Sequence, residues 1–199
     1  MTIIAIDPGN QESGWVVIDE TDAHPLAAGK WDNQRLLDVI LDDPTELLDL
    51  GDLGTSPARG DDYLDTLVIE MVASYGMPVG AEVFDTCVWI GRFTQAWEDC
   101  DNTVVETILR PDVKLHHTGW RGSKDSNVTA ALVERFAPGQ RNHGKGTKAQ
   151  PGFFHGFKAD LWQAYALGVC FWDRQRTAAA NQALADLTIH ARTPISEGL

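Results

Sequence analysis

Three acidic residues each stand at the end of an apolar run or just after one. Asp7 follows Ile3-Ile4-Ala5-Ile6, Glu70 follows Leu67-Val68-Ile69, and Asp160 opens Asp160-Leu161-Trp162-Gln163-Ala164-Tyr165. Carboxylates carried by two strand ends and a helix start can converge on a divalent cation. Hard oxygen ligands suit Mg²⁺, and two such ions about 3.5–4 Å apart can activate a water, neutralise phosphate oxygens and stabilise a leaving 3′-oxygen. The chemistry implied is phosphoryl transfer. Each acid also has a purely structural reading: Asp7 as a turn cap in Asp7-Pro8-Gly9, Glu70 as the wet end of a strand, Asp160 as a helix N-cap.

The elements that must position these residues follow from patterning. Residues 2–7, 14–19 and 26–31 read as strands of an antiparallel meander, separated by Pro8-Gly9-Asn10 and Asp22-Ala23-His24-Pro25. A short helix is expected around 34–42, then a solvated acidic loop, because residues 36–65 carry nine acidic residues and only Arg59 as a base. Thr66–Glu70 reads as a central strand. Val83, Cys87, Ile90 and Trp97 recur at near-helical spacing, predicting a helix over 81–98 whose Trp89, Phe93 and Trp97 serve either helix-on-sheet packing or a dimer seam. The stretch 103–108 is β-rich, and Val113–His116 reads as a further short strand. Ser123 is a plausible N-cap for a helix through Phe136. The Gly- and Lys-rich residues 138–157 suggest a mobile loop, and a last helix should run from about Asp160 to 180, with the Ala-rich tail extending it before fraying.

The length of 199 residues suits one domain, 1–180, with the acidic insert at about 36–65 and a tail over 181–199. No apolar run approaches the roughly 20 residues of a membrane span, and no secretory signal is visible at Met1, so a cytoplasmic protein without membrane contact is expected. Cys87, Cys100 and Cys170 are scattered, which argues against a disulfide framework or a structural zinc site and suggests ordinary buried thiols. The formal net charge of −13 is unevenly spread: Arg110 to Lys158 holds nine Lys and Arg against three Asp and Glu. A basic region inside an acidic protein is what a chain needs if one face is to meet DNA.

Four motifs, in this order, carry a resemblance: Ile6-Asp7-Pro8-Gly9 with Gly14-Trp15, Ile69-Glu70-Met71 through Met77, Ser123-Lys124-Asp125-Ser126-Asn127-Val128, and Lys158-Ala159-Asp160-Leu161-Trp162. Together they resemble the RuvC-type Holliday junction resolvases, particularly the phage and bacterial variants. The resemblance implies an α/β, ribonuclease H-like fold with a mixed five-stranded sheet and helices on both faces. It further implies a metal-dependent endodeoxyribonuclease that cuts branched DNA, especially four-way junctions, as a homodimer, with Mg²⁺ as cofactor and Mn²⁺ as substitute.

On that resemblance Asp7, Glu70 and Asp160 are the metal ligands. The resolvases carry a further acid, or a histidine paired with an acid, one helical turn away, where this chain has Gln163. His155 is the candidate to take over as ligand, proton carrier or phosphate contact. Lys124, Arg121, Lys145, Lys148 and Lys158 are candidate phosphate contacts, Lys124 foremost because a helix N-terminus already favours an anion. Tyr75 is a candidate to stack on unpaired bases. Other readings are a branched-DNA-binding protein with weak or lost catalysis, a flap- or RNA-trimming nuclease of the same fold, and a sugar-kinase-like ATPase, which also begins with Ile-Asp-Pro-Gly but normally needs two lobes.

Overall fold

Apolar side chains alternate along β1 (Thr2–Asp7) so that Ile3 and Ala5 join one core layer while Ile4 and Ile6 join the other. A strand buried on both sides must lie inside a sheet. β2 (Glu12–Asp19) returns antiparallel beside β1, and β3 (Pro25–Asp32) beside β2. On the other side β4 (Leu64–Met71) runs parallel to β1, and β5 (Val104–Leu109) parallel to β4. The result is a mixed five-stranded sheet in the order β3-β2-β1-β4-β5. This computed structural model describes residues 2–51, 53, 64–73, 76, 78–100, 104–158 and 160–192, with backbone alone at 65 and 188–192.

Two helical layers cover the sheet. α1 (Asn33–Asp42), α2 (Glu46–Leu50) and α3 (Ala81–Glu98) pack Leu36, Leu37, Ile40, Leu47, Phe93 and Trp97 against Ile4, Ile6, Leu67 and Ile69. α4 (Arg110–Thr118), α5 (Asp125–Phe136) and α6 (Leu161–Arg192) pack Val113, Val128, Leu132 and Tyr165 against Ala5, Val16, Val68 and Ile108. Asp32 caps α1, accepting from the amides of Gln34 and Arg35 at 2.9 and 3.2 Å. Such a cap is worth about 1 kcal/mol.

The turn after β1 is held by a buried polar bracket. The Ser13 hydroxyl donates to Asn33 Oδ1 at 2.6 Å, and Asn33 Nδ2 donates to the Gly9 carbonyl at 2.9 Å. Ser13 and Asn33 are both fully buried. Gly9 is required because a Cβ there would lie 2.3 Å from the Glu12 carbonyl oxygen. This bracket fixes the exit of β1, and with it Asp7.

Several sequence expectations are corrected. Val113–His116 is not a strand but the middle of α4, which has Pro111 in its first turn and Gly119 as a left-handed C-cap at φ 74°. Ser123 is not the N-cap of α5: Lys124 holds that position, and the Ser123 hydroxyl meets that of Thr118 at 2.6 Å. The acidic insert is not wholly a surface loop, since Leu47 of α2 and Leu53 are buried. The segment 138–157 is anchored by its aromatics, with Phe154 and Phe157 inside the core. α6 continues to Arg192, so the Ala-rich stretch after 180 extends the helix as the sequence allows. Cys87 is exposed, so only Cys170 is a fully buried thiol. Among the described residues no helix is long and apolar enough to cross a membrane.

Candidate active site

The alternation that places Ala5 in the α4–α5–α6 layer also turns Asp7 to that face, and Val68 does the same for Glu70. Ile6 pairs with Ile69, so Asp7 and Glu70, one residue further on parallel neighbours, emerge side by side at the same edge of the sheet. Neighbouring strands are about 4.8 Å apart. On the other side Asp7 pairs with Gly14, and Gly14 with Lys30. A transverse row therefore runs Lys30, Gly14, Asp7, Glu70 across four strands.

Gly14 explains how Asp160 joins them. A Cβ at Gly14 would lie 3.1 Å from the Asp160 carbonyl oxygen and 3.3 Å from its Cβ, so the missing side chain lets the start of α6 settle on the strand beside Asp7. Asp160 is the residue before α6, and its carbonyl accepts from the amides of Gln163 and Ala164. The three acids proposed from sequence are thus brought to one corner.

Positive charge is already built into this corner. Arg110, at the exit of β5, places Nη1 3.0 Å from both carboxylate oxygens of Glu70 and 3.8 Å from Asp7, and Nη2 2.9 Å from Asp125. Lys114 reaches Asp125 at 3.1 Å, and Lys30 lies 2.8 Å from Asp160 and 3.3 Å from Glu12. Burial, and then the charges of Glu70, Asp160 and Asp125, push the Asp7 carboxyl up to about 7 despite Arg110. Burial also raises Glu70, against the pull of Arg110. Asp125 goes the other way: hydrogen bonds and charge from Lys114 and Arg110 outweigh its burial and lower it.

Among the described residues no three His, Cys, Asp or Glu side chains stand as a ready metal cluster. Arg110 and Lys30 instead supply the countercharge, drawing Glu70 and Asp160 to themselves. The donor set nevertheless fits a hard divalent cation. Its ligands are all carboxylate oxygens, two of them fixed on adjacent strand ends, and a cation would relieve the repulsion that adds to burial in raising Asp7.

Arg110, Lys30 and Asp125 were not singled out from the sequence. Arg110 follows an alternating β-rich stretch as Glu70 follows an apolar one, so the rule that polar residues at strand exits line a site would have found it. Lys30 is harder, since only the β2–β3 register places it. The other candidates are distributed more widely. Nδ1 of His155 faces the Lys145 carbonyl at 3.2 Å, tying His155 to its own loop rather than to the three acids. Lys124 is exposed at the N-cap of α5 and Arg121 pairs with Asp112 at 2.8 Å. Lys145, Lys148 and Lys158 lie on the 138–158 segment, and Gln163 is half-buried in the first turn of α6. Tyr75 lies outside the described residues.

Phe93 and Trp97 of α3 pack on the sheet, whereas Phe84 and Val88 point outward, 62% and 61% exposed. The helix therefore serves packing on one side and leaves an apolar pair on the other.

No family model matches the chain, and no curated protein matches it. Solved structures do. A Thermus thermophilus RuvC structure superposes with a TM-score of 0.58 at 15% identity, covering 89% of this chain and 98% of that one. Thermus thermophilus RuvC in complex with a Holliday junction substrate gives 0.57 at 14% identity, covering 88% and 96%. The chain shares the ribonuclease H-like fold of RuvC over nearly its whole length.

Proposed function

We propose that this chain is a divalent-metal-dependent endonuclease that hydrolyses phosphodiester bonds in branched DNA, with four-way junctions as its substrate and a homodimer as its working form. The observation that carries the reading is the placing of Asp7 and Glu70 on adjacent strand ends with Asp160 settled over Gly14. The fold shared with RuvC, seen in one case with a Holliday junction substrate, supports the choice of substrate.

Asp7, Glu70 and Asp160 would hold magnesium, which when bound supplies Lewis acidity toward the phosphate and a more acidic water. Asp7, flanked by both other acids, is the residue placed to be shared. Arg110 and Lys30 balance the acids until a cation arrives, and their charges are then free for the phosphate oxygens of DNA. Lys124, Lys145, Lys148 and Lys158 would add the phosphate contacts that an acidic chain needs in order to approach a polyanion. The outward Phe84 and Val88 of α3, one helical turn apart, support a second copy of the chain as partner.

One specific residue favours a second reading. Gln163 offers a neutral oxygen where the resolvases carry a charged or imidazole ligand, and that suits a branched-DNA-binding protein with weak catalysis. Incubating the protein with a four-way junction, a flap and a matched duplex in Mg²⁺, Mn²⁺ or Ca²⁺ separates the readings. Paired nicks in the junction with Mg²⁺ or Mn²⁺ support the nuclease, and junction binding without cleavage in any ion supports the second reading. Asp7→Asn should abolish cutting while binding survives; normal cutting by that variant would remove the site assignment.

A further inference from the structure

The α4–α5 connection, Gly119 to Lys124, carries Trp120, a residue 64% exposed. Seven tryptophans are present, and Trp15, Trp31, Trp97, Trp162 and Trp172 are all buried. An indole left in water on a turn has no folding benefit to explain it. It is nonetheless held in place.

One face of the ring is seated. A Cβ at Gly122 would lie 2.7 Å from Cζ2 and 2.9 Å from Cε2 of Trp120, so the indole rests directly on the glycine backbone. The Trp120 carbonyl accepts from the Thr118 hydroxyl and the Ser123 amide, each at 3.2 Å, while the Trp120 amide donates to the Thr118 hydroxyl at 3.4 Å. The Thr118 and Ser123 hydroxyls meet at 2.6 Å, with Ser123 buried. Among the described residues no aromatic ring or guanidinium covers the other face.

The turn carries two basic residues and is linked through ion pairs to the carboxylate corner. Arg121 folds back onto Asp112, in the first turn of α4, two residues from Arg110. Lys124 ends the same turn and precedes Asp125, which Arg110 and Lys114 bind. The nine-residue α4 is about 12 Å long, equal to three or four base steps of a duplex strand.

A flat ring with one seated face and one open face, on a turn that also carries Arg121 and Lys124, matches a base that has lost its own stacking partner. We infer that Trp120 is a preformed platform for an unstacked nucleobase near the cleaved strand, giving the chain a means of favouring branched over continuous DNA. This rests on the proposed function. Bases inside a duplex are already stacked and have no face to offer, whereas those at a branch point or in a single strand do.

Binding measured in Ca²⁺ by fluorescence anisotropy tests it, using a four-way junction, a hairpin-closed duplex and a single-stranded oligonucleotide. Trp120→Ala should weaken junction and single-strand binding about 5- to 100-fold and duplex binding less than about twofold. Trp120→Phe should recover most of the loss, Trp120→Leu little of it, and Gly122→Val, which lifts the ring off its seat, should fall between. Unchanged circular dichroism confirms that the exposed turn tolerates these changes. Equal loss on all three DNAs, no loss, or full rescue by Leu would overturn the platform. If the unaltered protein shows no preference for the junction, the proposed substrate fails, and the single-strand arm still decides the role of Trp120.

Discussion

One guanidinium nitrogen of Arg110 lies 3.0 Å from both carboxylate oxygens of Glu70. The second nitrogen reaches Asp125, so one side chain from the exit of β5 binds acids from β4 and from the start of α5. Removing one partner of a buried ion pair strands the other charge and commonly costs 3–5 kcal/mol. Arg110 is 28% exposed, which moderates that cost. Arg110→Met should lower stability in EDTA by about 2 kcal/mol, with part of the loss restored by millimolar Mg²⁺ as the ion takes over the countercharge. Urea midpoints with and without Mg²⁺ measure both effects, and an unchanged midpoint in EDTA would show that the acids need no internal cation.

Asp7 gives a prediction with a defined pH window. Its folded-state carboxyl is raised to about 7, above the ordinary 3.8, by burial and by the neighbouring acids. Between these two values the folded protein binds the proton that the unfolded chain has released, so stability falls as pH rises from about 4 to 7. Asp7→Asn removes that slope. The variant should be close to the unaltered protein near pH 4 and more stable by up to about 4 kcal/mol at pH 8 in EDTA. Denaturation across pH 4–8 measures this; a stability difference that does not grow with pH would refute the raised Asp7 carboxyl.

How far the sequence foretold this corner depends on the kind of signal. Ile3–Ile6 and Leu67–Ile69 are apolar runs with an acid at the exit, and buried parallel neighbours of that kind leave little choice of element or direction. The 81–98 periodicity likewise returned α3 with its bounds intact. Arg110, Lys30 and Asp125 were not evident, because their meeting depends on strand register and on which face each helix covers. Val113–His116 taken alone reads as a strand, although Pro111 and Gly119 bracket α4 as start and stop signals. The Gly-rich 138–157 segment was read by its glycines and lysines, while Phe153, Phe154 and Phe157 decide its packing.

The bracket behind Asp7 is a test of positioning from a distance. Asn33 donates to the Gly9 carbonyl and accepts from Ser13, with no exposure to water. Asn33→Ala removes the donor to the Gly9 carbonyl and leaves the Ser13 hydroxyl only the Gly9 amide, at 3.4 Å, and a buried group left unpaired costs about 1–3 kcal/mol. The variant should lose about 1–3 kcal/mol in urea denaturation, and junction cleavage should fall with Mg²⁺ affinity while duplex binding holds. Full stability in Asn33→Ala would mean that the turn is set by Gly9 and Pro8 alone.

His117 holds the opposite face of α4 and responds to acid. Its Nε2 lies 2.8 Å from the Ala166 carbonyl on α6, so the neutral ring donates from that nitrogen. Burial lowers the ring to about 4, with His116 and Arg135 adding to the fall and Asp173 opposing it. The unfolded chain therefore takes up a proton below about 6.5 that the folded protein refuses until about 4, and stability is lost as pH falls through that window. Asp173, held by Arg135 at 2.6 and 2.8 Å and by His116 at 2.7 Å, stays charged there and keeps α4, α5 and α6 joined. His117→Gln, which keeps a donor without the proton uptake, should flatten the stability profile between pH 6.5 and 4, where the unaltered protein loses about 2–3 kcal/mol. Parallel profiles for the two proteins would place the acid sensitivity elsewhere.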